Sequence, residues 1–93
     1  MWRFDEALAS HDHATAFRPD AADVHYTKAL LLLLTGNFAR GWQLHEKRWE
    51  WPAFPSRKRS FAQPLWLGTQ AVAGKTVLLH AEQGFGDTIQ FCR

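Results

Sequence analysis

Along the first half of the chain, apolar and polar positions alternate at steps of three and four, the period of a helix with one buried face. Phe4, Ala7, Leu8, His11 and Ala14 form one stripe, continued by Ala16 and Phe17, and predict a helix over residues 2–17. Arg18-Pro19-Asp20 ends it, because the residue before a proline avoids the α region. Asp20 is then the expected N-cap of a second helix over residues 21–35, and Asp23 adds negative charge at that positive helix end. Five consecutive leucines, residues 30–34, wrap more than one face of this helix, which predicts burial on both sides. Gly36 is the expected left-handed stop and Asn37 the expected N-cap of a third helix over residues 38–51. Its stripe is Phe38, Trp42, His45 and Trp49, at steps of four, three and four, and Pro52 ends it.

One offset ties these helices together. Phe4, Ala7, His11 and Ala14 return 34 residues later as Phe38, Gly41, His45 and Arg48, the first three matching in size or type and the fourth not. That spacing is the length of one tetratricopeptide helix–turn–helix unit. The residues resemble that repeat as well: Ala29 and Gly41 stand at its two small crossing positions, Gly36 follows its first helix, and Pro19 closes the preceding unit. The resemblance divides residues 1–51 into half a repeat and one nearly complete repeat. It implies a protein partner bound through the helices.

Residues 52–74 have no period. Pro52, Pro55, Pro64 and Gly68, with the basic triplet Arg57-Lys58-Arg59, mark an extended connector. Its aromatic content (Phe54, Phe61, Trp66) predicts that it lies on another surface. Residues 75–93 change character. Thr76-Val77-Leu78-Leu79-His80 reads as a buried strand, residues 81–86 as a tight glycine turn, and residues 87–93 as a helix start with Ile89 and Cys92 inward. Strand, glycine turn and helix open a βαβ unit. The expected fold class is therefore mainly α: helical hairpins followed by the first strand and helix start of a truncated Rossmann-like α/β domain.

The glycine turn carries the candidate chemistry. Glycines at 84 and 86 permit positive φ and close approach of a ligand to the backbone. Free N–H groups at a following helix favour an anion or sugar oxygens. Ile89 stands where a dinucleotide fingerprint needs its third glycine, and no Walker lysine follows. The alternative is a purely structural turn with Asp87 as N-cap.

The segments Trp66-Leu67-Gly68 and Gly74-Lys75-Thr76-Val77-Leu78-Leu79-His80-Ala81-Glu82-Gln83-Gly84-Phe85-Gly86-Asp87-Thr88-Ile89-Gln90-Phe91 resemble a junction in bacterial tetratricopeptide-repeat proteins. Those proteins carry a heptosyltransferase-like glycosyltransferase domain of the two-Rossmann GT-B architecture. Leu67 departs from the acidic or amide residue expected there. The resemblance implies that Asp87 is the general base toward an acceptor hydroxyl, with Gln83, Gly84, Phe85, Gly86 and Thr88 contacting ligand. It implies a nucleotide-sugar donor in a longer parent, of which this chain is expected to be an inactive fragment. Two other readings compete: a protein-binding helical scaffold without catalysis, and the opening of a different nucleotide-binding Rossmann domain.

Composition narrows the rest. A net charge of +2 with only one basic cluster argues against nucleic acid. A single cysteine, Cys92, excludes an internal disulfide and a cysteine-based zinc site. No apolar run approaches the roughly 20 residues of a membrane span, and no signal peptide is read at the start, so a cytoplasmic location is expected. His11 and His13, two apart on a helix, point to different faces and read as surface rather than metal ligands. His25 and His45 read as core-edge residues, His80 as structural, Cys92 as a packing residue, and residues 57–59 as solvated.

Overall fold

The computed structural model describes residues 3–92. It forms two compact units, Met1–Pro55 and Ser56–Arg93. Helices dominate and, among the described residues, no strand forms. The first unit holds α1 (Phe4–Phe17), α2 (Ala22–Leu34), α3 (Phe38–His45) and a 3-10 turn, η1 (Glu46–Glu50). The second holds α4 (Phe85–Phe91). The expected start of the first helix at Trp2 and the expected helix end at Arg93 lie outside the described residues. No described helix is long and apolar enough to cross a membrane.

α1 begins with Asp5 and Glu6 in its first turn, where carboxylates complement the positive helix end. It stops before Pro19. α2 is capped by Ala21 rather than Asp20, without a side-chain cap bond. The interhelix turn closes by other means: Arg18 Nη2 pairs with Asp23 Oδ2 at 3.6 Å, and His25 Nε2 donates to the Pro19 carbonyl at 2.6 Å. The end of α2 is a Schellman motif. Asn37 N–H donates to Leu32 O and Gly36 N–H to Leu33 O, with Gly36 at φ 84°. Asn37 occupies the N-cap position of α3 as expected, but its side chain makes no cap bond.

The third helix is shorter than its stripe predicts. α-geometry ends at His45 and the chain tightens into η1. There Arg48 folds back, its Nη1 donating to the His45 carbonyl at 3.1 Å and to Glu46 Oε1 at 2.9 Å. The guanidinium also lies 4.2 Å from the Trp49 ring centroid. Arg48 is only 7% exposed and is the position where the 34-residue offset fails.

α2 is the central element: α1, α3 and η1 all pack against it. Its small residues decide how close they come. Ala29 is fully buried, and Ala22 and Leu32 complete the buried apolar set. At Gly41 a Cβ would fall 2.7 Å from Leu33 Cδ2 and 3.2 Å from the Leu33 backbone nitrogen. Only a residue without a side chain lets α3 sit that near α2. The leucine run is not buried all round, however: Leu30 and Leu34 are exposed, as are Phe38 and Trp42 at 60% and 58%.

Phe54 joins the first unit instead of the connector. Its ring meets Tyr26 at 5.3 Å, Trp49 at 5.6 Å and Trp51 at 6.2 Å, and Tyr26 also touches Trp51 and His45. Such offset and edge-on pairs add about 0.5–1.5 kcal/mol each beyond the area they bury. In the second unit, the expected strand at residues 76–80 is irregular and exposed, with Leu78 and Leu79 open to solvent. A strand of this kind is stabilised by its ladder partners, and none of the described residues pairs with it. Ile89 and Cys92, expected inward, are exposed too.

Replacing Gly41 with leucine is expected to push α3 from α2 and to lower stability by about 1–3 kcal/mol. Thermal or urea unfolding of the variant checks this, and an unchanged midpoint would mean that the crossing is not close-packed. A second expectation concerns the ion pair between Lys28 Nζ and Asp12 Oδ1, which joins α2 to α1. The hydrogen bond and charge of Lys28, with smaller help from Arg40 and His11, hold the Asp12 carboxyl below its ordinary range. A depressed folded-state value means that the stabilisation is complete above the unfolded pKa and is lost as pH falls through the folded one. The loss therefore appears below about pH 4. Asp12→Asn should flatten that acid limb of a melting-temperature profile and leave its slope near neutral pH unchanged.

Candidate functional site

The turn expected to carry chemistry lies at the start of α4. Gly84, at φ 63° and ψ 77°, is the residue before the helix, and its carbonyl accepts Thr88 N–H at 3.0 Å and Thr88 Oγ1 at 3.2 Å. Asp87 is therefore not the N-cap. It is the third helical residue, folded back so that a Cβ at Gly84 would meet its Oδ2 at 2.9 Å. Left-handed geometry and the carboxylate both require glycine at 84. The carboxylate in the first turn complements the positive helix end.

The six site residues form one continuous stretch, but they do not line a cleft. Gln83, Gly84, Phe85, Gly86 and Asp87 are exposed, and Thr88 is half-buried with its hydroxyl committed to Gly84. The preceding chain is tied by Ser56 Oγ, which donates to the Glu82 carbonyl at 3.2 Å. His80 stacks on Phe61 at 5.5 Å. Trp66 Nε1 donates to the Gln70 carbonyl at 2.9 Å. Cys92 Sγ donates to the Ile89 carbonyl at 3.3 Å. His80 and Trp66 are thus engaged in holding loop structure.

On α1, Asp12 is bound by Lys28 and the His13 ring packs edge-on against Phe17 at 4.9 Å. Within the His11-Asp12-His13 run, Asp12 and His13 are exposed and His11 is half-buried. His45 packs between Tyr26 and Trp42.

A second place in the first unit was not marked by any motif. A cavity of about 310 Å³ is lined by Thr15 of α1, His25, Lys28 and Leu32 of α2, Arg40, Gln43 and Leu44 of α3, and Lys47 of η1. Positions 25, 28 and 32 form one helical stripe, and 40, 43 and 47 form another. Both stripes line the cavity. Three of the lining side chains are cations. Lys28 is held by Asp12, its side chain only 12% exposed, and Lys47 Nζ lies 3.2 Å from Glu50 Oε1 on the open surface. The polar stripe 40/43/47 was visible in the sequence. Its meeting with 25/28/32 was not, because that depends on how α3 crosses α2.

No protein-family model matches the chain, and no solved structure matches it. It is similar to Protein FlbA of Caulobacter vibrioides (strain ATCC 19089 / CIP 103742 / CB 15), with 35% identity over 74 residues. That match takes in 77% of this chain but 12% of FlbA, so the chain spans about an eighth of the length of this relative.

Proposed function

We propose that the first unit is a tetratricopeptide-like protein-interaction module of a longer protein. The observation that carries this reading is the 34-residue offset together with the packing of its small positions. Gly41 stands where a Cβ on α3 would press into Leu33 of α2, and Ala29 is fully buried. Both are positions that the repeat needs small. The exposure of the large apolar residues Leu30, Leu34, Phe38 and Trp42 on one helical pair supports the same reading, since apolar side chains left open on a folded unit favour protein contact. Replacing the exposed Trp42 with glutamate in the full-length protein tests it. The expected outcome is an unchanged melt with loss of co-purifying proteins. Recovery of the same proteins would sink the interaction role of this face.

A second reading concerns residues 75–93. The run from His80 to Gln90 supports a glycosyltransferase-like domain in the longer protein, with a nucleotide-sugar donor and an acceptor hydroxyl. A left-handed Gly84 directly before a helix is compatible with a ligand-contacting turn. In this reading Asp87 takes the acceptor proton. Asp87→Asn keeps the shape but cannot accept that proton, so donor consumption by the full-length protein should fall about 10²–10⁴-fold. The helix start should survive, because the substitution removes only a first-turn charge worth about 0.3–1 kcal/mol. An unchanged rate in a preparation with an unchanged melt would leave Asp87 a structural residue and favour the scaffold reading.

A further inference from the structure

The dipeptide Lys-Arg occurs twice in the chain, at residues 47–48 and 58–59, and the fold treats the two copies differently. The first lies in η1. Arg48 is buried, its guanidinium bonded to Glu46 and the His45 carbonyl and laid on Trp49. Its own carbonyl accepts Trp51 N–H at 3.1 Å. The second copy lies just past the division between the two units, which falls after Pro55. Residues 57–61 are exposed and contain no helix, turn or bend. Ser56 Oγ is tied to the Glu82 carbonyl. Beyond it, among the described residues, neither Arg57, Lys58, Arg59 nor Ser60 takes part in a hydrogen bond or ion pair.

An endopeptidase takes its substrate as an extended strand whose main-chain N–H and C=O groups are free to pair with the enzyme. It also draws the side chain before the scissile bond into a pocket, where a carboxylate receives an arginine through two hydrogen bonds. Arg48 meets neither condition: its carbonyl is engaged, and its side chain would first have to leave Glu46 and Trp49. Arg59 meets both. Exposed irregular segments are also where proteolytic nicking concentrates. We propose that Arg59–Ser60 is a cleavage site for an endopeptidase of paired-basic specificity, which reads Arg59 directly before the scissile bond and Lys58 beside it. Water adds its oxygen to the Arg59 carbonyl carbon as the bond to the Ser60 nitrogen breaks, so that Arg59 ends as a carboxylate and Ser60 as an ammonium. The cut leaves α1, α2, α3 and η1 together on one fragment and residues 60–93 on the other. It is independent of what either unit binds.

The test is a digestion time course on the full chain, read by mass spectrometry, with trypsin and with a subtilisin-like endopeptidase selective for Lys-Arg. Synthetic peptides spanning residues 44–53 and 55–64 give the rate at each bond in the absence of the fold. In the chain, both enzymes should cut Arg59–Ser60 within about threefold of its peptide rate, because no structure has to open there. Arg48–Trp49 should be slowed at least about tenfold relative to its peptide, because it must wait for local opening. Lys58→Gln should slow the Lys-Arg-selective enzyme at Arg59–Ser60 by more than about tenfold, since one charge of the recognised pair is gone, and change trypsin far less. Replacing Arg57, Lys58 and Arg59 together by glutamine should abolish cleavage in this segment with an unchanged circular dichroism melt, since all three side chains are exposed. Equal protection of the two bonds in the chain would overturn the proposal. So would a Lys-Arg-selective enzyme that leaves Arg59–Ser60 uncut, or one that is indifferent to Lys58→Gln.

Discussion

The first unit depends on how closely α3 can approach α2. Gly41 and Leu33 make that contact at a separation that no larger residue at 41 would permit. Ala29, fully buried on α2, keeps the same helix slim. Once the backbones are this near, the outer residues of both helices are fixed in register. Tyr26 then reaches His45, Trp51 and Phe54, and the chain after η1 folds back over α2. Lys28 of α2 and Arg40 of α3 line one cavity as a result of the same approach. Core packing and cavity lining are two consequences of one small residue.

Arg48 shows where the repeat symmetry stops. A faithful copy of α1 would place a small residue there, as Ala14 is in the first helix. Instead a guanidinium is taken nearly out of water, satisfied by Glu46 and the His45 carbonyl and stacked on Trp49. A buried charge is tolerated only when such partners are supplied. The 3-10 tightening of η1 sets its residues around that side chain. The third helix thus departs from its simple stripe at the position where the 34-residue offset also fails.

The two candidate sites differ in what builds them. The turn at Gly84 is local: a left-handed glycine, a helix start and a carboxylate folded back over three residues. Its residues were legible as a group because they are consecutive. Their solvent exposure was not, because burial of a turn depends on distant chain. The cavity is the opposite case. Its residues come from four elements and carry no motif, and only the crossing of α2 and α3 makes them neighbours.

The sequence by itself determined three helices in the first fifty residues, their stops at Pro19 and Gly36, and the two small positions at which they cross. Each of these follows from local chemistry: proline and glycine restrict or free the backbone, and a period of three and four marks a face. It also marked the helix after Gly84, though two residues late, because the left-handed glycine and not Asp87 is the cap. Tertiary structure decided the rest. Leu30, Leu34, Phe38 and Trp42 are as apolar as any core residue, yet they are exposed. Residues 76–80 have the composition of a strand, yet they form none, because a strand requires a neighbouring ladder and not only a suitable sequence. Burial and pairing are properties of two surfaces together, and a stripe along the chain describes only one of them.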